Sequence, residues 1–228
     1  MLPITDNVPT RRFPVVTVSL IIANFAVWIF YELPNLDRAV NQLAFHPCEV
    51  ENTCRQIDEG WEITAVTSMF MHGSWFHLLG NMLFLWIFGN NVEDAMGRIR
   101  FIIFYFLAGF AATALQTLVT LTTTPLQDHV IPFLGASGAI SGVLGAYFVL
   151  LPRASVLTLV FFFLPVFIPA WVFLVLWFGL QLISSSASLQ HPESGGGVAF
   201  FAHVGGFVFG LLAVRLFKSR SWVAPAYR

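Results

Sequence analysis

The sequence predicts an all-α polytopic membrane protein, a single domain over residues 1–228 built as a bundle of six transmembrane helices. Three observations carry this prediction. Hydrophobic residues make up 57% of the chain and charged residues 10%, against roughly 25% charged in an average soluble domain. Mean hydropathy is +0.77. The apolar stretches are about 20 residues long, the length needed to cross a hydrocarbon core of about 30 Å at 1.5 Å per residue. Charges collect in the short connections, which leaves no space for a separate soluble domain. Basic tracts and Gly-rich phosphate loops are absent from the sequence, so neither nucleic acid nor nucleotide is an expected partner.

The expected spans cover residues 13–31, 64–89, 101–121, 133–151, 169–187 and 198–217. The first follows Arg11 and Arg12, and no small-residue cleavage site succeeds Ile29, Phe30 and Tyr31, so it is an uncleaved span rather than a signal peptide. A long acidic loop over 33–62 comes next, with Trp61 near its end and with Cys48 and Cys54, the only cysteines. The second span runs to Glu93, Asp94 and Arg98, and the fourth stops at Pro152 and Arg153. Residues 154–183 would make a helix of about 45 Å, too long for the bilayer. Pro165 and Pro169 divide it: 156–167 is expected along the interface, with Pro169 in the first turn of the fifth span, where a missing N–H costs nothing. Residues 184–197 form a Ser/Gly-rich connection, flexible by composition.

Six spans put both termini on one side. Arg11, Arg12, Arg98, Arg100, Arg153, Arg215, Lys218, Arg220 and Arg228 fall there, against Arg38 and Arg55 opposite. The positive-inside rule makes that side cytoplasmic, in a prokaryotic inner or plasma membrane. The 33–62 loop then lies outside, where thiols oxidise, and a Cys48–Cys54 disulfide is expected.

Polar residues inside apolar spans ask for a reason. They are His72, His77 and Asn81 in the second span, Ser137 in the fourth and His203 in the sixth. Ser137 opens a helix after a polar, proline-bearing loop, and small residues recur at Ser137, Ser141 and Gly145 and at Gly138 and Gly142, the spacing of closely packed membrane helices. Gly206 and Gly210 share a stripe with His203. Ser137 lies 16 residues from Arg153, His77 16 from Glu93 and His203 15 from Lys218, so all three reach a common level about 22 to 24 Å above the cytoplasmic face.

A serine hydroxyl becomes a nucleophile when a base within hydrogen-bond reach takes its proton, and histidine titrates in the range that suits the task. Ser137 and His203 fit those roles. The spans hold no central acid, so a dyad is expected, with His203 held by packing on the glycine-rich fourth helix. Ser137 at a helix N-terminus supplies its own N–H and the positive end of the helix dipole to an oxyanion. His77 and Asn81 add side-chain donors, one such donor being worth about 2.7 to 4 kcal/mol of transition-state stabilisation.

The chain resembles the rhomboid intramembrane serine proteases. Gly135-Ala136-Ser137-Gly138 is similar to their nucleophile motif, Ala202-His203-Val204-Gly205-Gly206 with Gly210 to their histidine motif, and His72, His77 and Asn81 to the pattern of their second span. The resemblance covers nearly the whole chain and its minimal six-span form. It implies Ser137 as nucleophile, His203 as general base, His77 and Asn81 as oxyanion residues, and His72 as a structural or water-binding histidine. Of the family's Trp-Arg loop motif only Trp61 is matched, and Ser141 stands where some relatives carry an aromatic against the base. The implied substrates are single-span membrane proteins cut near the outer end of their transmembrane segment, within the lipid bilayer and with no cofactor. Residues 184–197 and the fifth span correspond to the family's cap and lateral gate.

Other readings exist for each residue. The small-residue helix could serve packing alone, Asn81 could be interhelical glue, and a histidine near a helix end could anchor at the interface. A metal site from His72, His77 and His203 lacks an HExxH pattern or a buried carboxylate. A transporter would call for internal repeats, which are not found. An inactive escort protein of rhomboid fold, binding membrane clients, is the alternative function, and the presence of both Ser137 and His203 speaks against it.

Overall fold

The computed structural model describes residues 1–54, 60–161, 163–190 and 199–225. Helices dominate. In chain order they are α1 (Val15–Val27, wound on as a π turn over Trp28–Glu32), α2 (Leu36–Leu43), α3 (Pro47–Val50), α4 (Trp61–Thr67), α5 (Trp75–Phe84, with a π turn over Leu85–Gly89), α6 (Asn90–Met96) and α7 (Arg98–Thr123). Then follow α8 (Ser137–Leu150), α9 (Ala170–Gln190) and α10 (Phe200–Phe217). Among the described residues, three apolar segments are long enough to cross a membrane, Val15–Glu32, Arg98–Thr123 and Phe200–Phe217, with shorter apolar helices at Ser137–Leu150 and Ala170–Ser186.

An all-α description needs one correction. Three antiparallel strands, β1 (Leu2–Asp6), β2 (Ser155–Val160) and β3 (Leu164–Pro169), form a sheet in the order β1-β2-β3. The interfacial segment over 156–167 is this hairpin. Val156 and Thr158 alternate inward while their neighbours are half-buried, and Pro165 and Pro169 deny the segment a helix. Pro169 closes β3, and α9 starts one residue later. Asn7 fastens the N-terminal strand further, its N–H donating to Ser155 O at 3.0 Å while its Oδ1 accepts from Ser155 N–H at 2.8 Å.

The second expected span is also divided. Helix α4 ends in a 3-10 turn over Ser68–Phe70, the chain runs extended at Met71, and α5 restarts at Trp75 behind Ser74, whose hydroxyl caps the N–H of His77 at 3.2 Å. His72 therefore sits in the break and not on the helix.

The core crossing pairs α8 with α10. A Cβ on Gly206 would strike the carbonyl oxygen of Gly138, and one on Gly210 would strike that of Gly142. Only glycine lets the two backbones approach this closely, as the small-residue spacing implies. Phe101, Phe104, Tyr105, Tyr147 and Phe173 fill the space around the crossing and are fully buried. At the terminus side, the Glu93 carboxylate accepts from the N–H groups of Val16 and Thr17 at 3.0 and 2.8 Å and from the Thr17 hydroxyl at 2.8 Å, which caps α1 and joins it to α6.

Opposite the sheet, loops pack over the far ends of the helices. Cys48 and Cys54 are joined as a disulfide with a Cα separation of 5.3 Å. The Glu49 carboxylate accepts from the His46 N–H at 3.0 Å and from the Thr64 hydroxyl. Of the expected cap over 184–197, residues 191–197 lie outside the described residues, as do Arg55 and Arg228 of the charge pattern.

Candidate active site

Ser137 is the first residue of α8, and the loop that delivers it is pinned from two sides. Phe133 and Phe45 exchange backbone hydrogen bonds of 2.9 and 3.2 Å, their rings 4.9 Å apart. Gly135 N–H donates to Ser68 O at 2.8 Å. Gly135 then turns the chain into the helix at φ +125°, a conformation open to glycine and closed to nearly every other residue. A Cβ there would lie 2.7 Å from His77 Nε2 and 3.6 Å from Ser137 Oγ. Serine and His77 thus flank the same point. The first-turn N–H groups of α8 carry no capping side chain, so their partial positive charge is directed at the mouth of the site.

His203, the fourth residue of α10, faces Ser137 across the α8–α10 crossing. Its Nε2 lies 2.8 Å from Ser137 Oγ, and its Nδ1 lies 2.7 Å from Gln181 Oε1 on α9. An amide oxygen can only accept, so the proton resides on Nδ1 and Nε2 is left as an acceptor facing the Ser137 hydroxyl. Trp177, one turn before Gln181, lies with its ring 6.0 Å from the imidazole, and Phe200 meets it edge-on at 6.4 Å. The imidazole is therefore oriented by α9 as well as by glycine packing. Ser141, where relatives place an aromatic, donates to Ser137 O at 2.6 Å and is occupied with its own helix.

On the opposite wall, Asn81 is buried one turn below His77 on α5, and its Nδ2 lies 2.9 Å from His72 Nε2. The His72 and His77 rings pack edge to face at 5.0 Å. The backbone N–H of His72 donates to Glu32 Oε1 at 2.6 Å, and both residues are fully buried. A cavity of about 20 Å³ opens beside Ser137 between Ser68, Gly109, Ala112 and Ala202, room for a single water.

The structure thus groups Ser137, His203, Gly135 and His77 in one hollow, with Asn81 reaching it through His72. Gly138, Gly206 and Gly210 form the crossing beneath. Cys48 and Cys54 stand apart in the outer loops, where Cys48 N–H donates to His129 O at 2.9 Å, and Trp61 is half-exposed at the start of α4. Sequence reasoning missed Gln181, Trp177 and Glu32. Trp177 and Gln181 share the four-residue spacing that singled out His77 and Asn81, a signal that was available. Glu32, at the rim of its span, read as the start of a loop. Glu32, in the π turn over Trp28–Glu32, is fully buried beside His72, where its carboxylate accepts from the backbone N–H of His72, while the partners of His203 are Ser137 and Gln181.

The family model described as Rhomboid domain matches residues 58–220. Among curated proteins, the chain is 35% identical over 158 residues to Rhomboid protein 1, mitochondrial, of Saccharomyces cerevisiae, covering 66% of this chain and 40% of the relative. It is 31% identical over 147 residues to Putative rhomboid protease YdcA of Bacillus subtilis, covering 63% of this chain and 66% of that protein. It is 29% identical over 149 residues to Presenilin-associated rhomboid-like protein, mitochondrial, of Bos taurus, covering 65% and 36%. The matches span about two fifths of the mitochondrial relatives and two thirds of the bacterial one. Two of these relatives are mitochondrial by name, which argues against the expected prokaryotic membrane.

Proposed function

The chain belongs to the rhomboid family of helical membrane proteins, and from that premise we propose that it is an intramembrane serine endopeptidase acting through a Ser137–His203 dyad. The single observation that carries the reading is the 2.8 Å approach of His203 Nε2 to Ser137 Oγ, made by two different helices. His203 takes the hydroxyl proton as Ser137 Oγ attacks the scissile carbonyl carbon. The oxyanion is met by the Ser137 N–H, the α8 dipole and donors from His77 and Asn81. His203 then delivers its proton to the leaving amine, leaving an acyl-serine. A water, deprotonated by the same imidazole, hydrolyses the acyl group and returns the serine.

Gln181 does for His203 what a carboxylate does in a serine protease triad, with one difference. It fixes the tautomer and ring orientation but brings no negative charge to the imidazolium that forms.

The substrates in this reading are single-span membrane proteins, cut near the outer end of their transmembrane segment. A helix hides its peptide carbonyls in hydrogen bonds, so the scissile stretch must unwind, and small or helix-breaking residues lower that cost. With six crossings in this reading, both termini fall on the basic face, cytoplasmic by the positive-inside rule, and the site opens to the opposite side.

A fluorophosphonate probe and a model transmembrane substrate test this on detergent-solubilised wild type, Ser137→Ala and His203→Ala. Labelling and cleavage are expected in wild type alone. Cleavage that persists in either variant removes the dyad, and substrate capture without cleavage in wild type favours the escort alternative.

A further inference from the structure

On the terminus side a hollow of about 490 Å³ opens between the chain entering α1 and the junction of α6 with α7, and none of Ser137, His203, His77 or Asn81 lines it. Its charge is unequal. Arg12, Arg98 and Arg100 line it, all three exposed, and their side chains make no hydrogen bond or ion pair among the described residues. Two acids line it as well. Glu93 is buried, and its carboxylate is taken up by the N–H groups of Val16 and Thr17 and by the Thr17 hydroxyl. Only Asp94 is left to balance three guanidinium groups, and it is within ion-pair distance of none of them. The hollow therefore holds an excess of positive charge and unpaired donors. A phosphate group suits both, because each guanidinium fork can donate to two phosphate oxygens at once.

The level of the hollow separates the sources of such a phosphate. Val15–Glu32 and Arg98–Thr123 are both long and apolar enough to cross a membrane, and the hollow lies where both begin. With those segments in the hydrocarbon, this is the level of the lipid headgroups, where basic pockets between helices meet anionic lipids. Apolar side chains continue from it. Phe13 is 67% exposed at its rim, and Ile99 and Ile103, four apart on one face of α7, are 76% and 48% exposed. Acyl chains would cover these side chains, and a soluble phosphate would leave them bare.

We propose that the hollow between Arg12, Arg98 and Arg100 binds the phosphate headgroup of an anionic phospholipid, whose acyl chains lie along Phe13, Ile99 and Ile103. A headgroup seated there ties the chain entering α1 to the first turn of α7, beside the Glu93 cap that joins α1 to α6. The stability of the bundle then depends on lipid composition. This site is independent of the Ser137–His203 reading and needs only the membrane fold.

The test is a thermal melt of the full chain in neutral detergent, titrated with phosphatidylglycerol, with phosphatidylcholine or with inorganic phosphate. Phosphatidylglycerol is expected to raise the wild-type melting temperature saturably by about 2 to 4 °C, the shift that a ligand at about five times its Kd gives a chain of this length. Phosphatidylcholine, whose choline balances its phosphate, and inorganic phosphate, which has no acyl chains, should each give less than half of that. Arg98→Gln with Arg100→Gln should cut the phosphatidylglycerol shift to the phosphatidylcholine level. Arg153→Gln with Arg215→Gln, two exposed arginines outside the hollow, should leave it unchanged. An undiminished shift in the first pair, or an equal loss in both pairs, overturns the site in favour of general surface charge. No shift with phosphatidylglycerol, or an equal one with phosphatidylcholine, also overturns it, and an equal one with inorganic phosphate reassigns the hollow to a soluble anion. Should the Arg98 and Arg100 pair not melt cooperatively, Arg12→Gln takes its place: a shift at least halved is expected, and an undiminished one overturns the proposal.

Discussion

The imidazole of His77 occupies the space in which a side chain on Gly135 would stand, with Nε2 2.7 Å from the missing Cβ. Two demands meet at this glycine: a φ of +125° and room for a ring beside the nucleophile. Gly135→Ala is expected to lower kcat/KM of a model substrate at least tenfold, with Ser137 and His203 untouched. Kinetics together with a melting curve check this, since activity should fall well before the protein unfolds.

The bond from His203 Nδ1 to Gln181 Oε1 is the only polar hold on the base besides the serine itself among the described residues. A hydrogen bond of this kind contributes about 0.5 to 1.5 kcal/mol, or about twofold to tenfold in rate. Gln181→Ala should slow fluorophosphonate labelling of Ser137 by that factor. Trp177→Ala, which removes packing from the same ring, should act in the same direction.

The crossing of α8 and α10 brings Gly206 against the Gly138 carbonyl. Gly206→Val must push the helices apart, an overpacking that costs roughly 1 to 3 kcal/mol. The expected result is a lower melting temperature in detergent with activity lost in parallel, because Ser137 and His203 separate along with their helices.

The Cys48–Cys54 bridge closes a short loop, with a sequence separation of 6, that touches the nucleophile's approach through Cys48 N–H to His129 O. Closing so short a loop contributes about 2 kcal/mol in the chain-entropy view. Reduction, or replacement of both cysteines by serine, should lower the melting temperature, and cleavage should weaken because Phe45 and Phe133 join the same two loops. Thiol titration before and after reduction verifies the starting state.

Asp6 gives a pH dependence on the terminus side. Burial pushes its carboxyl above the ordinary value of 3.8, opposed by hydrogen bonds from Tyr147, Val8 and Asn91. A raised folded value means that Asp6 contributes stability below the unfolded value and loses it as pH climbs through the folded one. Wild type should therefore gain stability relative to Asp6→Asn on acidification through the window just above 3.8, as read from melting temperatures at stepped pH.

Much of the site could be read from residue types alone. Ser137 follows a proline-bearing loop and precedes an apolar run, so a helix beginning there was the natural reading, and His203 with Gly206 and Gly210 announced a face for close contact. Gln181 was harder. A neutral amide in a span is commonly interhelical glue, and only the position of α9 turns its oxygen onto the base. The hairpin over β2 and β3 was hidden by hydrophobicity, because an apolar run bounded by prolines suits an interface as well as a strand until β1 arrives to pair with it.

By itself the sequence determined a membrane chain and helices able to cross closely at glycine, and its motifs marked Ser137 and His203. The first two are local properties, set by side-chain polarity against a hydrocarbon solvent and by the absence of a Cβ. Tertiary structure alone decided which groups meet: Gln181 Oε1 against His203 Nδ1, and Glu32 Oε1 against the His72 backbone N–H. Those pairings join residues 22 and 40 positions apart. Hydrogen-bond direction depends on ångström distances between elements, which residue identity and spacing along one chain do not encode.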